Sequence, residues 1–189
     1  MQAGIDTRFV FIEDIGWNAQ TQFFVDIDNS PIKNLFKLYP WEWLMNDEFG
    51  KNILLDTCEA LFIEPAWKMI LSNKAILPQL WELFPRHPNL LPAFFSSDQL
   101  TNYVKKPLLS REGANIDIVV DRDVICHTDG DYGEEGYIYQ ELFSLPDFSN
   151  NYPLIGSWVI GEQPAGIVIR ESNTLITDNV SRFIPHLIV

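Results

Sequence analysis

The sequence is short of positive charge. Its 189 residues include 13 lysines and arginines against 26 aspartates and glutamates, which gives a formal net charge of −13 at pH 7. Proteins that bind nucleic acid or an anionic membrane use basic side chains against the phosphates, so this balance argues against both partners. No apolar run approaches the roughly 18 residues that span a bilayer. We therefore predict neither a nucleic-acid partner nor a membrane partner.

Cysteine is also scarce. Cys58 and Cys126 lie far apart and form no C-x-x-C motif. His127 follows Cys126 directly, but adjacent residues of a strand point to opposite faces. This pattern predicts two buried thiols in a reducing compartment and no structural zinc. The first residues show no basic stretch followed by an apolar core, so no secretion signal is predicted and a cytoplasmic location is expected.

Several catalytic signatures are missing as well. The chain has no G-x-x-x-x-G-K-S/T phosphate-binding motif and no pattern typical of a Ser-His-Asp or Cys-His pair. A covalent protein nucleophile is therefore not expected. Both ends are strand-like or apolar, at residues 7–12 and 184–189. We interpret this as termini that tuck into a sheet, or as a chain that belongs to a larger folding unit.

The residues that are present predict an α+β fold. Hydrophobic residues make up 47% of the chain, enough for a core. Helices are predicted at 41–49, ending with Gly50 at C′, and at 75–84, capped by Ser72 or Asn73, with a helical turn opened by Pro65. Short strands, mostly antiparallel, are predicted at 8–12, 22–26, 33–38, 61–63, 103–106, 116–120, 124–126, 136–143, 152–160 and 164–170, with a possible return at 174–177.

The scarce positive charge is concentrated at residues 103–115. Lys105, Lys106 and Arg111 all lie in this run, which reads as a strand, a glycine-containing loop and a second strand. A hairpin of this kind can fold its tip over a phosphate chain. The alternative is that the lysines, beside Pro107, protect an edge strand from aggregation, and that the loop is an ordinary turn.

Lys74 is a second notable cation. Its predicted place in the first turn of the helix at 75–84 is unfavourable, because the helix dipole is positive there. This placement suggests a compensating anion, while the alternative is a solvated surface lysine. With Lys106, a covering loop and the strand around Gln140, it indicates a nucleotide site of a kind that lacks the usual phosphate-binding motif.

These stretches resemble the glutathionylspermidine synthase family of ATP-grasp ligases. The resemblance covers nearly the whole chain in order, and its blocks are residues 36–43 (FKLYPWEW), 64–67 (EPAW), 72–78 (SNKAILP), 80–81, 83–85, 104–107 (VKKP), 110–116 (SREGANI), 138–142 (IYQEL), 145–146 and 166–170 (GIVIR). It is nearer to stand-alone synthetase-like proteins than to those that carry an amidase domain. Residues 1–189 then correspond to the C-terminal portion of an ATP-grasp domain, with a possible sub-lobe at about 65–120.

The resemblance implies a set of site residues. Lys74 and Lys106 match the two lysines that contact nucleotide phosphates, and Arg111 and Gly113 match the loop that closes over them. Arg170 matches an arginine that steadies the transferred phosphoryl group, and Trp43 falls at a position that lines the thiol-peptide site, with a different residue type. The matches to the adenine site are a strand edge and one residue beyond it: Gln140, Glu141, Leu142, Phe143 and Leu175.

The implied activity is ATP-dependent ligation of a carboxylate to an amine through an acyl phosphate, with a thiol peptide and a polyamine or related amine as substrates. The family's Mg²⁺ ligands and part of its substrate pockets come from a segment N-terminal to anything here, so no metal ligand is assigned in this chain. Asp117, Asp129 and Glu134 are acidic and near the loop, but nothing in the sequence makes them substitute ligands. We expect weak nucleotide binding and poor ligation from the isolated chain, with either self-association or pairing with a missing N-terminal half.

Two other functions stay open at this point. One is a catalytically inactive ATP-grasp remnant that acts as a nucleotide-binding or interaction module. The other, more remote, is a generic α+β binding domain.

Overall fold

The computed structural model describes residues 4–187 and shows the predicted α+β fold, with antiparallel sheets and short helices. The chain divides into two compact units, one ending at Ile70 and the other beginning at Leu71. The predicted sub-lobe at 65–120 is untested by this division and stays a prediction. Within residues 4–187, no helix is both long enough and apolar enough to cross a membrane.

The first unit is built around an aromatic core. Phe24, Trp41, Leu44 and Phe62 are buried together, and Phe24 packs edge-to-face on Phe62 with ring centroids 5.7 Å apart. The core forms because β1 and β2 make an antiparallel hairpin while β3 and β4 pair in parallel. Its elements are a 3-10 turn (Ile12–Asp14), β1 (Gly16–Asn18), β2 (Phe23–Val25), β3 (Asn34–Phe36), α1 (Trp41–Leu44), a 3-10 turn (Gly50–Leu54), β4 (Leu61–Ile63) and a 3-10 turn (Ala66–Lys68).

Two predictions for the first unit are wrong. Residues 8–12 form no strand; the chain instead makes a 3-10 turn in which Glu13 and Asp14 lie in the first turn, where acidic side chains are favoured. Gly50 does not follow a long helix, because α1 ends at Leu44. The glycine is needed for close approach instead, since an added Cβ would lie 1.6 Å from the Leu44 carbonyl oxygen.

The second unit holds a five-stranded antiparallel sheet in the order β5-β9-β6-β7-β8 and a three-stranded sheet in the order β10-β11-β12. The predicted hairpins β6–β7 and β10–β11 are both confirmed. The elements are α3 (Ile76–Leu83), β5 (Ala93–Phe94), β6 (Tyr103–Pro107), β7 (Asp117–Val120), β8 (Asp123–His127), β9 (Tyr137–Glu141), β10 (Tyr152–Ile160), β11 (Gln163–Ser172) and β12 (Arg182–Ile184), preceded by α2 (Met69–Ser72) at the division.

The register of the five-stranded sheet separates two faces. Lys106 lies opposite Ile138 on β9, and its strand neighbour on the same face, Val104, lies between Gln140 and Ile118. Ile118 and Ile138 are buried, so Lys106 lies on the apolar face. Lys105 points to the other face, as predicted from strand alternation.

Two predictions for the second unit need correction. Lys74 precedes α3 rather than lying in its first turn, because the Asn73 side chain accepts a hydrogen bond from the Ala75 amide at 2.9 Å and the helix begins at Ile76. The return strand at 174–177 does not form. The Thr174 hydroxyl instead donates to the Ile176 carbonyl at 2.8 Å, and β12 pairs with β11 further along the chain.

Candidate functional site

Lys106 is a cation held in an apolar setting. It extends from β6 beside buried Ile118 and Ile138, and its ammonium donates to the Gln140 side-chain oxygen at 2.7 Å. The pKa of Lys106 is lowered to about 8, chiefly by burial and to a smaller extent by the positive charge of Lys74. Both effects disfavour the charged form, so an anion placed between the two lysines is the ligand that would reverse them.

Lys74 connects the segment before α3 to the loop after β6. Its backbone amide donates to the Leu108 carbonyl at 2.9 Å, and its ammonium donates to the Ser110 carbonyl and hydroxyl oxygens at 2.7 and 2.9 Å. The structure brings Lys74 and Lys106 together, as the resemblance implied.

The loop at residues 110–115, which is predicted to cover phosphates and is called the covering loop below, is a strained segment. Glu112, Gly113 and Asn115 all have positive φ, at 55°, 75° and 56°. An added Cβ at Gly113 would lie 2.7 Å from the Thr177 carbonyl oxygen and 2.8 Å from an Ile176 methyl group, so only glycine fits. Strained backbone of this kind persists where its surroundings hold it in place, and it is common at ligand sites.

Arg111 lies at the exposed start of this loop, where its carbonyl accepts a hydrogen bond from the Ala114 amide at 2.9 Å. The Arg111 side chain thus belongs to the turn that also carries Gly113.

The predicted adenine-binding strand is not an edge. β9 lies between β5 and β6, with Gln140 paired to both Ala93 and Val104. The Glu141 amide donates to the Pro92 carbonyl at 2.8 Å, and the Leu142 amide donates to the Asn102 carbonyl at 3.1 Å. Phe143 follows the strand and is exposed. Any adenine contact therefore falls to the chain after β9, while the Gln140 side chain is directed to Lys106.

Arg170 reaches the covering loop through the segment that follows β11. One guanidinium nitrogen donates to the Asp178 carbonyl, and Thr177, one residue earlier, contacts Gly113. The Nε atom of Arg170 is buried without a hydrogen-bond partner. Leu175 is half-buried in the same segment. This segment links the arginine to the loop.

No metal centre is formed by the residues that the structure describes: between positions 4 and 187, no group of three His, Cys, Asp or Glu residues is arranged to hold an ion. Asp117 and Asp129 both contact the imidazole of His127, at 2.6 and 3.3 Å, and Asp117 also pairs with Lys105 at 3.3 Å. Both carboxylates are therefore already engaged with His127 or Lys105, and the residues between positions 4 and 187 form no ligand set that fits Mg²⁺.

Trp43 lies in α1 of the first unit, 42% exposed and edge-to-face with Tyr39 at 5.6 Å between ring centroids.

Sequence reasoning missed the parts that three residues play in holding the loop. Ser110 accepts hydrogen bonds from Lys74. Asn115, at the end of the loop, donates to the Tyr132 carbonyl, and Thr128, which follows β8, donates to the Gly113 carbonyl. Ser110 and Asn115 lie inside the block 110–116, but serine and asparagine are also typical turn residues. Thr128 carried no signal, because its part depends on the register of β7 with β8.

Comparisons by sequence show the family of the chain. Residues 1–189 match the family described as glutathionylspermidine synthase preATP-grasp, and the chain belongs to that family. A putative acid–amine ligase of Haemophilus influenzae is 47% identical over 197 residues, which cover 99% of this chain and 50% of the relative.

Two further relatives are more distant. Trypanothione synthetase of Crithidia fasciculata is 34% identical over 185 residues, covering 85% of this chain and 28% of the relative. The bifunctional glutathionylspermidine synthetase/amidase of Escherichia coli is 32% identical over 215 residues, covering 100% of this chain and 34% of the relative. The chain thus spans about half the length, or less, of these relatives.

Proposed function

We propose that this chain provides the nucleotide-binding side of an ATP-dependent acid–amine ligase. The observation that carries the proposal is the pair Lys74 and Lys106, two neighbouring cations beside a strained glycine loop, one of them with its pKa lowered to about 8. A polyphosphate between the two ammonium groups would offset both their mutual repulsion and the desolvation of Lys106.

In the proposed chemistry, a carboxylate takes the terminal phosphoryl group of ATP to form an acyl phosphate and ADP. An amine then attacks the acyl carbon, which forms the amide and releases inorganic phosphate. Negative charge on the transferred phosphoryl oxygens is stabilised by Lys74 and Lys106, with Arg111 and Arg170 as further cations. An acyl phosphate hydrolyses readily, so water must be kept from it, and the loop at 110–115 has that role. The adenine is placed against the end of β9, at Leu142 and Phe143, with Leu175 nearby.

The relatives' names suggest the substrates. One of them is named a glutathionylspermidine synthetase, after a product that combines the thiol peptide glutathione with the polyamine spermidine, so a thiol peptide and a polyamine or related amine are proposed here. Mg²⁺ belongs to the proposed activity, with its ligands expected outside this chain. A cytoplasmic location also stays a prediction.

Calorimetric titration with a non-hydrolysable ATP analogue tests the nucleotide site. We expect measurable binding by the 189-residue chain and its loss in Lys106→Ala. Lys105→Ala is the matched control, because its side chain lies on the opposite face and pairs with Asp117. Equal binding by all three proteins would show that the pair is not a phosphate site.

The second candidate is an inactive remnant that binds nucleotide without ligating. The absence of a carboxylate cluster suited to a metal between residues 4 and 187 favours it for this chain taken alone. Phosphate release from ATP, measured with glutathione and spermidine, tests whether this chain turns over by itself. We expect little turnover from the 189-residue chain, and robust turnover would contradict the assignment of the metal ligands to a segment outside it.

A further inference from the structure

The covering loop at 110–115 is held on one side by the segment that follows β8. Thr128 is central to this contact. Its hydroxyl donates to the Gly113 carbonyl at 2.5 Å and accepts from the Ile116 amide at 3.0 Å, while its own amide donates to the Ile116 carbonyl at 3.0 Å. One side chain therefore satisfies backbone groups on both sides of the strained turn.

Neighbouring contacts act on the same turn. The Asn115 amide donates to the Asp129 carbonyl at 3.2 Å, and the Asn115 side chain donates to the Tyr132 carbonyl. An added Cβ at Gly130 would lie 2.9 Å from the Ala114 methyl group, so the two segments are in close contact there. The backbone of 128–132 thus fits closely against 113–116.

We propose that Thr128 is a positioning residue for nucleotide phosphates: its hydroxyl fixes the carbonyl of Gly113 and the amide of Ile116, and so holds the covering loop in the shape that receives a polyphosphate. This inference rests on the proposed nucleotide function. Thr128 acts through the loop and makes no contact with the reacting groups.

The chemistry of a hydroxyl explains why threonine suits this place. A single O–H donates once and accepts through its lone pairs, so it can bridge a carbonyl and an amide that no backbone partner reaches together. The β-branched side chain also restricts rotation about χ1, which limits the hydroxyl to few orientations. Valine has the same shape without the hydroxyl and would leave both loop groups without this partner.

Two variants separate the hydroxyl from the side-chain shape. Thr128→Val removes the hydroxyl, and Thr128→Ser retains it. Hydrogen exchange of the amides of residues 112–116 is measured in the nucleotide-free 189-residue chain, and binding is measured with a non-hydrolysable ATP analogue and with adenosine. We expect Thr128→Val to exchange these amides at least tenfold faster and to bind the ATP analogue about tenfold more weakly, with adenosine binding unchanged. Thr128→Ser should recover most of both losses.

The outcomes distinguish this inference from the function on which it rests. Unchanged loop exchange in Thr128→Val overturns it, and so does faster exchange with an unaltered preference for the triphosphate over adenosine. An equal loss for both ligands would show general destabilisation and would also overturn it. If the wild-type chain binds no nucleotide, the proposed function fails, and with it the role toward phosphates. The exchange rates would still report whether the hydroxyl fixes the loop.

Discussion

Lys106 is a charged side chain in a place where its charged form is destabilised. A lysine beside buried isoleucines and near a second lysine is less stable as a cation than it is in water. An ordinary core position at this register would carry an apolar side chain, as Ile138 and Ile118 do. An anion beside Lys106 would offset this unfavourable burial, and the proposed nucleotide function supplies one.

Replacing Lys106 with methionine should stabilise the chain at neutral pH. The pKa of Lys106 falls from 10.5 in the unfolded chain to about 8 in the fold, so folding below pH 8 carries the full cost of the charge, on the order of 3 kcal/mol. This cost declines as the pH rises from 8 and is absent above about 10.5. Urea unfolding of wild type and Lys106→Met at pH 7 and pH 10 measures the difference.

Lys105→Met is the matched control for that measurement. Its side chain pairs with Asp117 and lies 4.2 Å from the Tyr137 ring centroid, so its removal should not stabilise the fold. A gain in stability of equal size in both variants, or one independent of pH, would contradict the account of Lys106.

At the scale of elements, the hairpin of β7 and β8 carries a pH-sensitive contact. His127 faces two carboxylates, Asp117 through Nδ1 and Asp129 through Nε2, and Asp117 also contacts Lys105. A neutral imidazole has one N–H and can donate to one of them, whereas the imidazolium donates to both. The pKa of His127 is raised, chiefly by its hydrogen bond to Asp117. Burial of Asp117 acts to raise the pKa of this carboxyl, but its hydrogen bonds and charge interactions with His127 and Lys105 outweigh burial, so the pKa of Asp117 is lowered.

The contact of His127 with Asp117 and Asp129 should therefore weaken in mildly alkaline solution. The stabilisation from protonated His127 is fully present below its unfolded pKa of 6.5 and is lost as the pH rises through the raised folded value. The part from Asp117 is present above its unfolded pKa of 3.8 and is lost as the pH falls through its lowered value. An NMR titration should place the His127 midpoint above 6.5.

Asp117→Asn should bring that midpoint back toward 6.5, since it removes the stronger carboxylate contact. Asp129→Asn should have a smaller effect in the same direction, because its contact is longer and fully exposed. A midpoint that does not respond to Asp117→Asn would show that the contact with Asp117 does not raise the pKa of His127.

At the scale of the whole molecule, the second unit exposes much apolar surface on the β10–β11 hairpin. Ile155, Trp158, Val159 and Ile160 are each at least 60% exposed, and Glu162 is the one charged residue between Tyr152 and Ile169. Long two-stranded ribbons are rarely stable alone in water, and large apolar patches indicate association. The net charge of −13 opposes contact between like copies.

The isolated chain should self-associate through this hairpin when its charge is screened. Sedimentation analysis is expected to show a larger species as salt rises from about 0.05 to 0.5 M, because the Debye length shortens several-fold. Trp158→Ser should reduce this association, whereas Trp67→Ser, at an equally exposed tryptophan of the first unit, should not. Equal behaviour of the two variants would place the contact elsewhere.

The secondary structure was predictable where the pattern was local. The strands at 116–120 and 136–143 and the helix at 75–84 were predicted from local patterns, and each appears within a few residues of its predicted bounds. The strand predicted at 8–12 was wrong, because a short run of apolar residues forms a strand only where a partner strand is available. Gly50 was predicted to end a helix because glycine is typical of that position. The close approach of Gly50 to the Leu44 carbonyl, which is the reason for a glycine here, cannot be read from the sequence.

The candidate site divides in the same way. Lys74, Lys106, Arg111 and Gly113 were predicted as site residues because they lie in sequence blocks that resemble a family, and that role stays a prediction. The structure joins Lys74 to Ser110 and Lys106 to Gln140. The family, the α+β class and the choice of these residues follow from residue type and order, so they could be predicted from the sequence. The inner position of β9, the desolvation of Lys106 and the hydrogen bonds of Thr128 to the covering loop could not. Those properties depend on which strands pair and in what register, and pairing is set by distant parts of the chain.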